Sequence, residues 1–250
     1  MPKHPYLRPA GWAAAVSLLF LASSISRADL LVIPPDPNSP VIASFNGSLS
    51  YNAGSHNFHS DSLPLSFTDP GHGTVLFSGG GHVSIDLSVD QNGRFLGNGG
   101  GFVLTGSLDL DNDGVVDVTG TSANPLLFGD ITAFGADAAG RPTRTFDGLF
   151  AIAGGLLTQN ITLSGGGSRP GGFMVGQTGG FFLFAENVTG GTLGDFTRDF
   201  SSNSVKDEEF GSVIPEPASL VLVMVGGGLL VGWRVLRKWA PEPAGGTPAG

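Results

Sequence analysis

The chain has 250 residues, 21 acidic against 12 basic side chains, a formal net charge of −9, 41 glycines and no cysteine. Without a thiol there are no disulfide staples and no cysteine chemistry. The acidic balance argues against a nucleic-acid partner, which would need clustered Lys and Arg to neutralise phosphates, and it suits cation binding. Residues 1–28 read as a secretory signal. Lys3 and Arg8 supply the positive start, residues 12–22 an apolar stretch, and Ser26-Arg27-Ala28 small residues at the two positions that signal peptidase reads. Cleavage after Ala28 is expected, leaving Asp29 as the mature N-terminus. That cut removes Lys3, Arg8 and Arg27 and no acid, so −9 becomes −12.

Residues 29–40 are proline-rich and read as an extended segment. From 41 to 200 the pattern is that of strands. His82 to Asp90 alternates strictly, and Phe102, Leu104, Leu108 and Leu110 fall on one side of a period of two. Such alternation marks half-buried antiparallel strands. Leu126-Leu127-Phe128 and Phe181-Phe182-Leu183-Phe184 read as strands buried more fully. Glycine clusters at 79–81, 99–101, 165–167, 171–172 and 179–180 read as turns. The clusters at 79–81 and 99–101 are spaced like a solenoid repeat, but the later ones do not keep the period. The expected fold is therefore all-β: a single antiparallel domain of sandwich or jelly-roll type over residues 41–200. Residues 201–214 are polar and read as a flexible spacer.

The strongest chemical signal inside the body is Asp109-Leu110-Asp111-Asn112-Asp113-Gly114-Val115-Val116-Asp117. Carboxylates at alternate positions can converge on one hard cation. Gly114 permits the sharp turn, Val115 can offer its carbonyl, and Asp117 stands at the ninth position of a calcium loop. The twelfth position is Gly120 instead of a bidentate Glu, and the flanks are strands. The expectation is a weak calcium site with ligands from Asp109, Asp111, Asp113, Val115 and Asp117. The same residues also suit an acidic hairpin turn, because Asn-Asp-Gly favours tight turns. His56 and His59, with His72 and His82 nearby, have a spacing seen in zinc sites but lack a clear third ligand. No G-x-S-x-G is present, and Glu186 with an Asp is an unmarked pair for glycoside hydrolysis. No catalytic residue and no organic cofactor is therefore assigned.

The C-terminal part has three pieces: Pro215-Glu216-Pro217, an uncharged apolar run over 218–233, and the basic residues Arg234, Arg237 and Lys238. The run spans about 24 Å as a helix, slightly under a hydrocarbon core of ~30 Å. Extension to Leu236, with Arg234 reaching back to the interface, brings a transmembrane helix over 218–236 close to sufficient. The basic cluster would stay cytoplasmic as a membrane stop. Residues 239–250 read as a disordered tail.

This order, together with Val213-Ile214-Pro215-Glu216-Pro217-Ala218-Ser219-Leu220, resembles the PEP-CTERM sorting signal of bacterial exported proteins, over residues 215–238. The same kind of tail also goes by the name of an ice-binding protein C-terminal domain, from which ice binding is not inferred. The family's signal usually ends soon after its basic cluster; here residues 239–250 follow, with a second Pro-Glu-Pro at 241–243. The resemblance implies recognition by an exosortase near Pro215, Glu216 and Pro217 and transient anchoring in the inner membrane. It also implies an association with extracellular polysaccharide and biofilm. The expectation is a non-enzymatic, exported cell-surface or matrix protein. The alternative is a secreted carbohydrate-active enzyme or glycan-binding adhesin on a β-scaffold.

Overall fold

The alternation read from residues 82–90 becomes a strand whose odd positions, Val83, Ile85, Leu87 and Val89, are all buried. The same rule builds the rest of the body in a computed structural model, which describes residues 30–31, 33–137 and 144–213. Thirteen strands follow in order: β1 Val41–Asn52, β2 Asn57–Asp69, β3 Gly73–Leu76, β4 Val83–Val89, β5 Phe95–Leu104, β6 Gly106–Leu108, β7 Val118–Gly120, β8 Leu127–Ala136, β9 Arg144–Gly154, β10 Asn160–Thr162, β11 Ser168–Pro170, β12 Thr178–Thr189 and β13 Phe200–Phe210. One 3-10 turn, Leu156–Thr158, lies between β9 and β10.

Every pairing is antiparallel, and the main sheet runs β1-β13-β12-β9-β8-β5-β4-β2-β3. Because β1 also pairs with β2, the sheet closes on itself. Eight of its nine strands form the ring and β3 is an outer addition to β2. Around the ring the strands follow chain order, so the architecture is an up-and-down barrel. This corrects the sandwich or jelly-roll expectation. A sandwich leaves sheet edges; here β1 has a hydrogen-bonded neighbour on each side, and closure removes the edge.

Eight strands leave an interior just wide enough for side chains to fill. Here aromatic rings stack among aliphatic side chains. Phe102 stacks on Phe150 at 4.5 Å, and Phe58 meets Phe134 at 4.9 Å and Phe146 at 5.2 Å. Tyr51, Phe196 and Phe200 pack together towards one end. The outward face carries Asp86, Asp130, Lys206 and Glu208, all exposed. Charges at these positions are the opposite of a lipid-facing apolar band.

Three expectations about local structure need correction. Residues 201–210 are not a spacer: they belong to β13, which lies between β1 and β12. Its inward positions include Ser202, Asp207 and Glu209, so the strand lacks the apolar alternation that would reveal it. The glycines at 99–101 and 179–180 lie within β5 and β12 instead of forming turns. A methyl group on Gly179 would sit 2.5 Å from the Phe150 ring, and one on Gly180 2.5 Å from the Phe210 ring. These glycines make room for aromatic rings. Finally, the apolar runs at 126–128 and 181–184 are buried only in part: Leu126, Leu127, Phe181 and Leu183 are fully buried, whereas Phe128 and Phe184 point outward and stay 38% exposed.

The extended N-terminal segment is pinned to the barrel. Pro35 bridges Val213, the Asp36 amide donates to the Ser212 carbonyl at 3.1 Å, and the Leu31 amide donates to Asp147 Oδ1 at 3.0 Å. Among the described residues no helix is long and apolar enough to cross a membrane. The expected signal at 1–28, the cleavage residues Ala28 and Asp29, the sorting motif Pro215, Glu216 and Pro217, the helix at 218–236, the stop residues Arg234, Arg237 and Lys238 and the tail at 239–250 all lie outside the described residues.

In an up-and-down ring, alternate connections fall at the same end. The turns after β1, β4 and β12 lie at one end, where β8 also finishes and β9 begins. The insertions after β2, β5 and β9 lie at the other, together with the start of β1 and the finish of β13. That second end is therefore the decorated one, and it carries the Asp-rich loop.

Candidate metal centre

The Asp-rich loop joins β6 to β7, and the Asp117 amide donates to the Leu108 carbonyl at 2.9 Å to close it. Asn112 at φ 58° and Gly114 at φ 91° give the two left-handed steps that fold the segment back on itself. Carboxylate oxygens of Asp109, Asp111 and Asp117 then lie within 4.8 Å of one another. Two oxygens on one calcium, each about 2.3–2.6 Å from the ion, are separated by no more than about 5 Å, so the spacing fits.

Backbone amides hold these carboxylates in place. Asp109 accepts from the Gly114 amide at 2.7 Å and the Asp113 amide at 3.2 Å, and Asp111 accepts from the Asp113 amide at 3.3 Å. Asp117 accepts from the Leu110 and Ser164 amides, both at 2.6 Å. Desolvation pushes the Asp117 carboxyl upward, but the amide hydrogen bonds from Ser164 and Leu110 outweigh it and hold its pKa below the ordinary value. Asp111 goes the other way. Desolvation raises it, the Asp113 amide partly offsets this, and the charges of Asp113 and Asp117 raise it further. A cation between the three groups would relieve that repulsion.

Three of the five expected ligands thus come together. Asp113 does not join them: its oxygens accept from the Val115 amide and the Ser164 hydroxyl, each at 2.8 Å. Val115 is 55% exposed and its amide donates to Asp113, a bond that leaves the expected ligand atom, its carbonyl oxygen, uninvolved. The second wall of the site comes from residues that the sequence reading did not connect with it. Ser164 and Gly165 lie in the turn between β10 and β11, and a methyl group on Gly165 would come within 2.9 Å of Asp111 Oδ2. Their only sequence signal was the glycine run at 165–167, read as a turn.

Arg169 on β11 fixes the loop from behind. It is 7% exposed, donates to the Leu110 carbonyl at 2.8 Å and pairs with Asp69 Oδ2 at 3.1 Å. Asp69 in turn accepts from the Gly71 amide and contacts the His72 ring at 2.7 Å. One guanidinium therefore ties the insertions after β2, β5 and β9 into a single cap.

The histidines do not gather. His59 pairs with Asp86 at 2.7 Å, His82 with Asp61 at 2.9 Å and His72 with Asp69, while His56 sits at a turn beside the Tyr51 hydroxyl at 3.4 Å. Each ring has its own partner, which is why the His-x-x-His spacing does not become a metal site. A groove of about 480 Å³ runs between the outer faces of β4–β5 and β6–β7, lined by His82, Ser84, Thr105, Ser107, Thr119 and Thr121 among others. Comparison with protein-family models, curated proteins and solved structures gives no match for this chain.

Proposed function

We propose that the chain is a non-enzymatic, exported cell-surface or extracellular-matrix protein, processed by signal peptidase after Ala28 and sorted by an exosortase-type enzyme at Pro215, Glu216 and Pro217. The observation that carries this reading is the order of the tail: triplet, uncharged run, basic stop. Residues 218–236 serve as a transient inner-membrane anchor, with Arg234, Arg237 and Lys238 on the cytoplasmic side. The aromatic filling of the barrel supports the reading, because it leaves recognition to the outer surface. At that surface the Asp109, Asp111 and Asp117 carboxylates hold calcium weakly, in the ~10⁻⁴–10⁻³ M range of extracellular modules. Extracellular calcium would then stiffen the decorated end.

A second reading, a glycan-binding adhesin within exopolysaccharide or biofilm, is favoured by the groove between β4–β5 and β6–β7, where Ser and Thr hydroxyls border a mostly apolar surface. Its lining carries no carboxylate, so it suits binding better than glycoside hydrolysis, which needs two placed acids. Titration with neutral oligosaccharides separates the adhesin from a purely structural protein.

Mass spectrometry of the surface-located protein from an exosortase-bearing host tests the sorting reading. The expected form starts at Asp29 and yields no peptide beyond about residue 220, a limit set by recognition at the triplet. Recovery of residues 234–250 from that form overturns it.

A further inference from the structure

The inner face of β13 carries two acids where the rest of the barrel interior is largely apolar. Glu209 is 0% exposed and Asp207 6%. In the register, Glu209 lies in a row with Ile42 of β1 and Phe181 of β12, and Asp207 in a row with Ser44 and Leu183. The two acids are two residues apart on one strand, so their side chains leave the same face as neighbours. Asp207 Oδ2 accepts from the Ser62 hydroxyl of β2 at 2.6 Å. Asp207 Oδ1, both Glu209 oxygens and the Ser44 hydroxyl have no partner.

Among the described residues no basic side chain is hydrogen-bonded or ion-paired to either acid. The inward positions beside it are Ile42 and Ser44 on β1, Ser62, Pro64 and Phe67 on β2, and Phe181, Leu183 and Ala185 on β12. Val83, Ile85, Leu87, Phe102, Leu104, Ile131, Phe146 and Phe150 fill the inner faces of β4, β5, β8 and β9. Lys206 and Glu208 on β13 point outward and are exposed. Tyr51 lies at the far end of β1, roughly 24 Å from Ser44 at ~3.4 Å per residue. Of the other buried charged groups, Asp69 on β2 is paired with Arg169 at 3.1 Å, and Asp147 on β9 accepts from the Leu31 amide. Two ionised carboxylates cannot remain in such a place without a counter-charge.

We propose that Asp207 and Glu209 act as a proton-holding pair that keeps β13 closed into the barrel in acid and loosens it as the surroundings turn alkaline. The proton shared between the two carboxyls supplies the donor that the orphaned oxygens lack. Burial, followed by the charge of Asp207, pushes the Glu209 carboxyl well up, and burial raises Asp207 as well. The sign follows from linkage. A folded-state value above the unfolded one means that the native barrel keeps a proton the unfolded chain has released. The pair's contribution is therefore complete below about pH 4.3, the unfolded Glu value, and is lost as pH rises towards the folded value. The sensitive strand is the one that closes the ring, and the chain continues from it to Pro215 within five residues. The device stands apart from the sorting reading and from the calcium loop.

The test compares the full chain with its Asp207→Asn/Glu209→Gln form in denaturant unfolding between pH 5.5 and 8. The histidine pairs are the same in both, so the difference isolates the acids. The wild-type folding constant is expected to fall, relative to the variant, by about tenfold per pH unit while one extra proton is retained. Parallel profiles overturn the proposal. If the variant does not fold, infrared spectroscopy of the wild type decides. A protonated-carboxyl carbonyl band that persists at pH 7, where exposed acids are ionised, is expected, and its absence overturns the proposal. In an Asp111→Ala background, which disables the loop site, added calcium is expected to leave the pH 8 stability unchanged. A stabilising response there assigns the pair to a metal instead of a proton.

Discussion

Removing the guanidinium of Arg169 tests whether the three insertions at the decorated end form one energetic unit. The Arg169→Met change keeps much of the aliphatic stem but deletes the donors to the Leu110 carbonyl and Asp69. Breaking a buried ion pair by removing one partner typically costs about 3–5 kcal/mol. Asp69 keeps the Gly71 amide and the His72 ring, which places the loss at the low end, about 3 kcal/mol. Loss of the unpartnered Nε of Arg169 offsets a little of this. The assay is the denaturant midpoint of the full chain in a double-mutant cycle with Asp69→Asn. Coupling of about 1–3 kcal/mol is expected for groups in direct contact. The calcium response of the Arg169→Met form should also weaken, because Leu110 is the residue between the candidate ligands Asp109 and Asp111. Additive single effects, or an Arg169→Met loss under about 0.5 kcal/mol, the range of ordinary surface substitutions, would refute the clamp.

Two further outcomes follow from the geometry. With a calcium dissociation constant near 1 mM, 10 mM calcium adds about 1.4 kcal/mol of stability that chelator removes. Asp111→Ala abolishes this response and Asp113→Ala retains it, because Asp113 is turned towards Val115 and Ser164; thermal melts with calcium and with chelator read the difference. Gly148→Ala places a methyl group 2.2 Å from the Phe181 ring inside the barrel, and overpacking of this kind costs about 1–3 kcal/mol or more, read as a lower melting temperature.

Period-two alternation determined by itself that the body is β, which faces of β4 and β5 are buried and where the chain turns at the Asp-rich loop. These are local properties, set by side-chain direction along a strand and by the backbone freedom of Gly114 and Asn112. The tail motif is likewise written in adjacent residues. Three of the five candidate ligands, Asp109, Asp111 and Asp117, come within reach of one another, because the tight turn folds the segment back on itself and the Ser164 amide holds Asp117. Tertiary structure decided the rest. Alternation tells which face of a strand is buried but not which strand lies beside it, so the choice between sandwich and barrel rested on the pairing of β1 with both β2 and β13. β13 was hidden because its inward residues are acids, which read as solvent-facing until the register brings Glu209 between Ile42 and Phe181. Gly179 and Gly180 read as a turn and turned out to be space for rings supplied from neighbouring strands. Ser164, Gly165 and Arg169 reach the Asp-rich loop only because the insertions after β5 and β9 leave the ring at the same end. Contacts of this kind join residues about fifty or more positions apart, and they exist only once the barrel has closed.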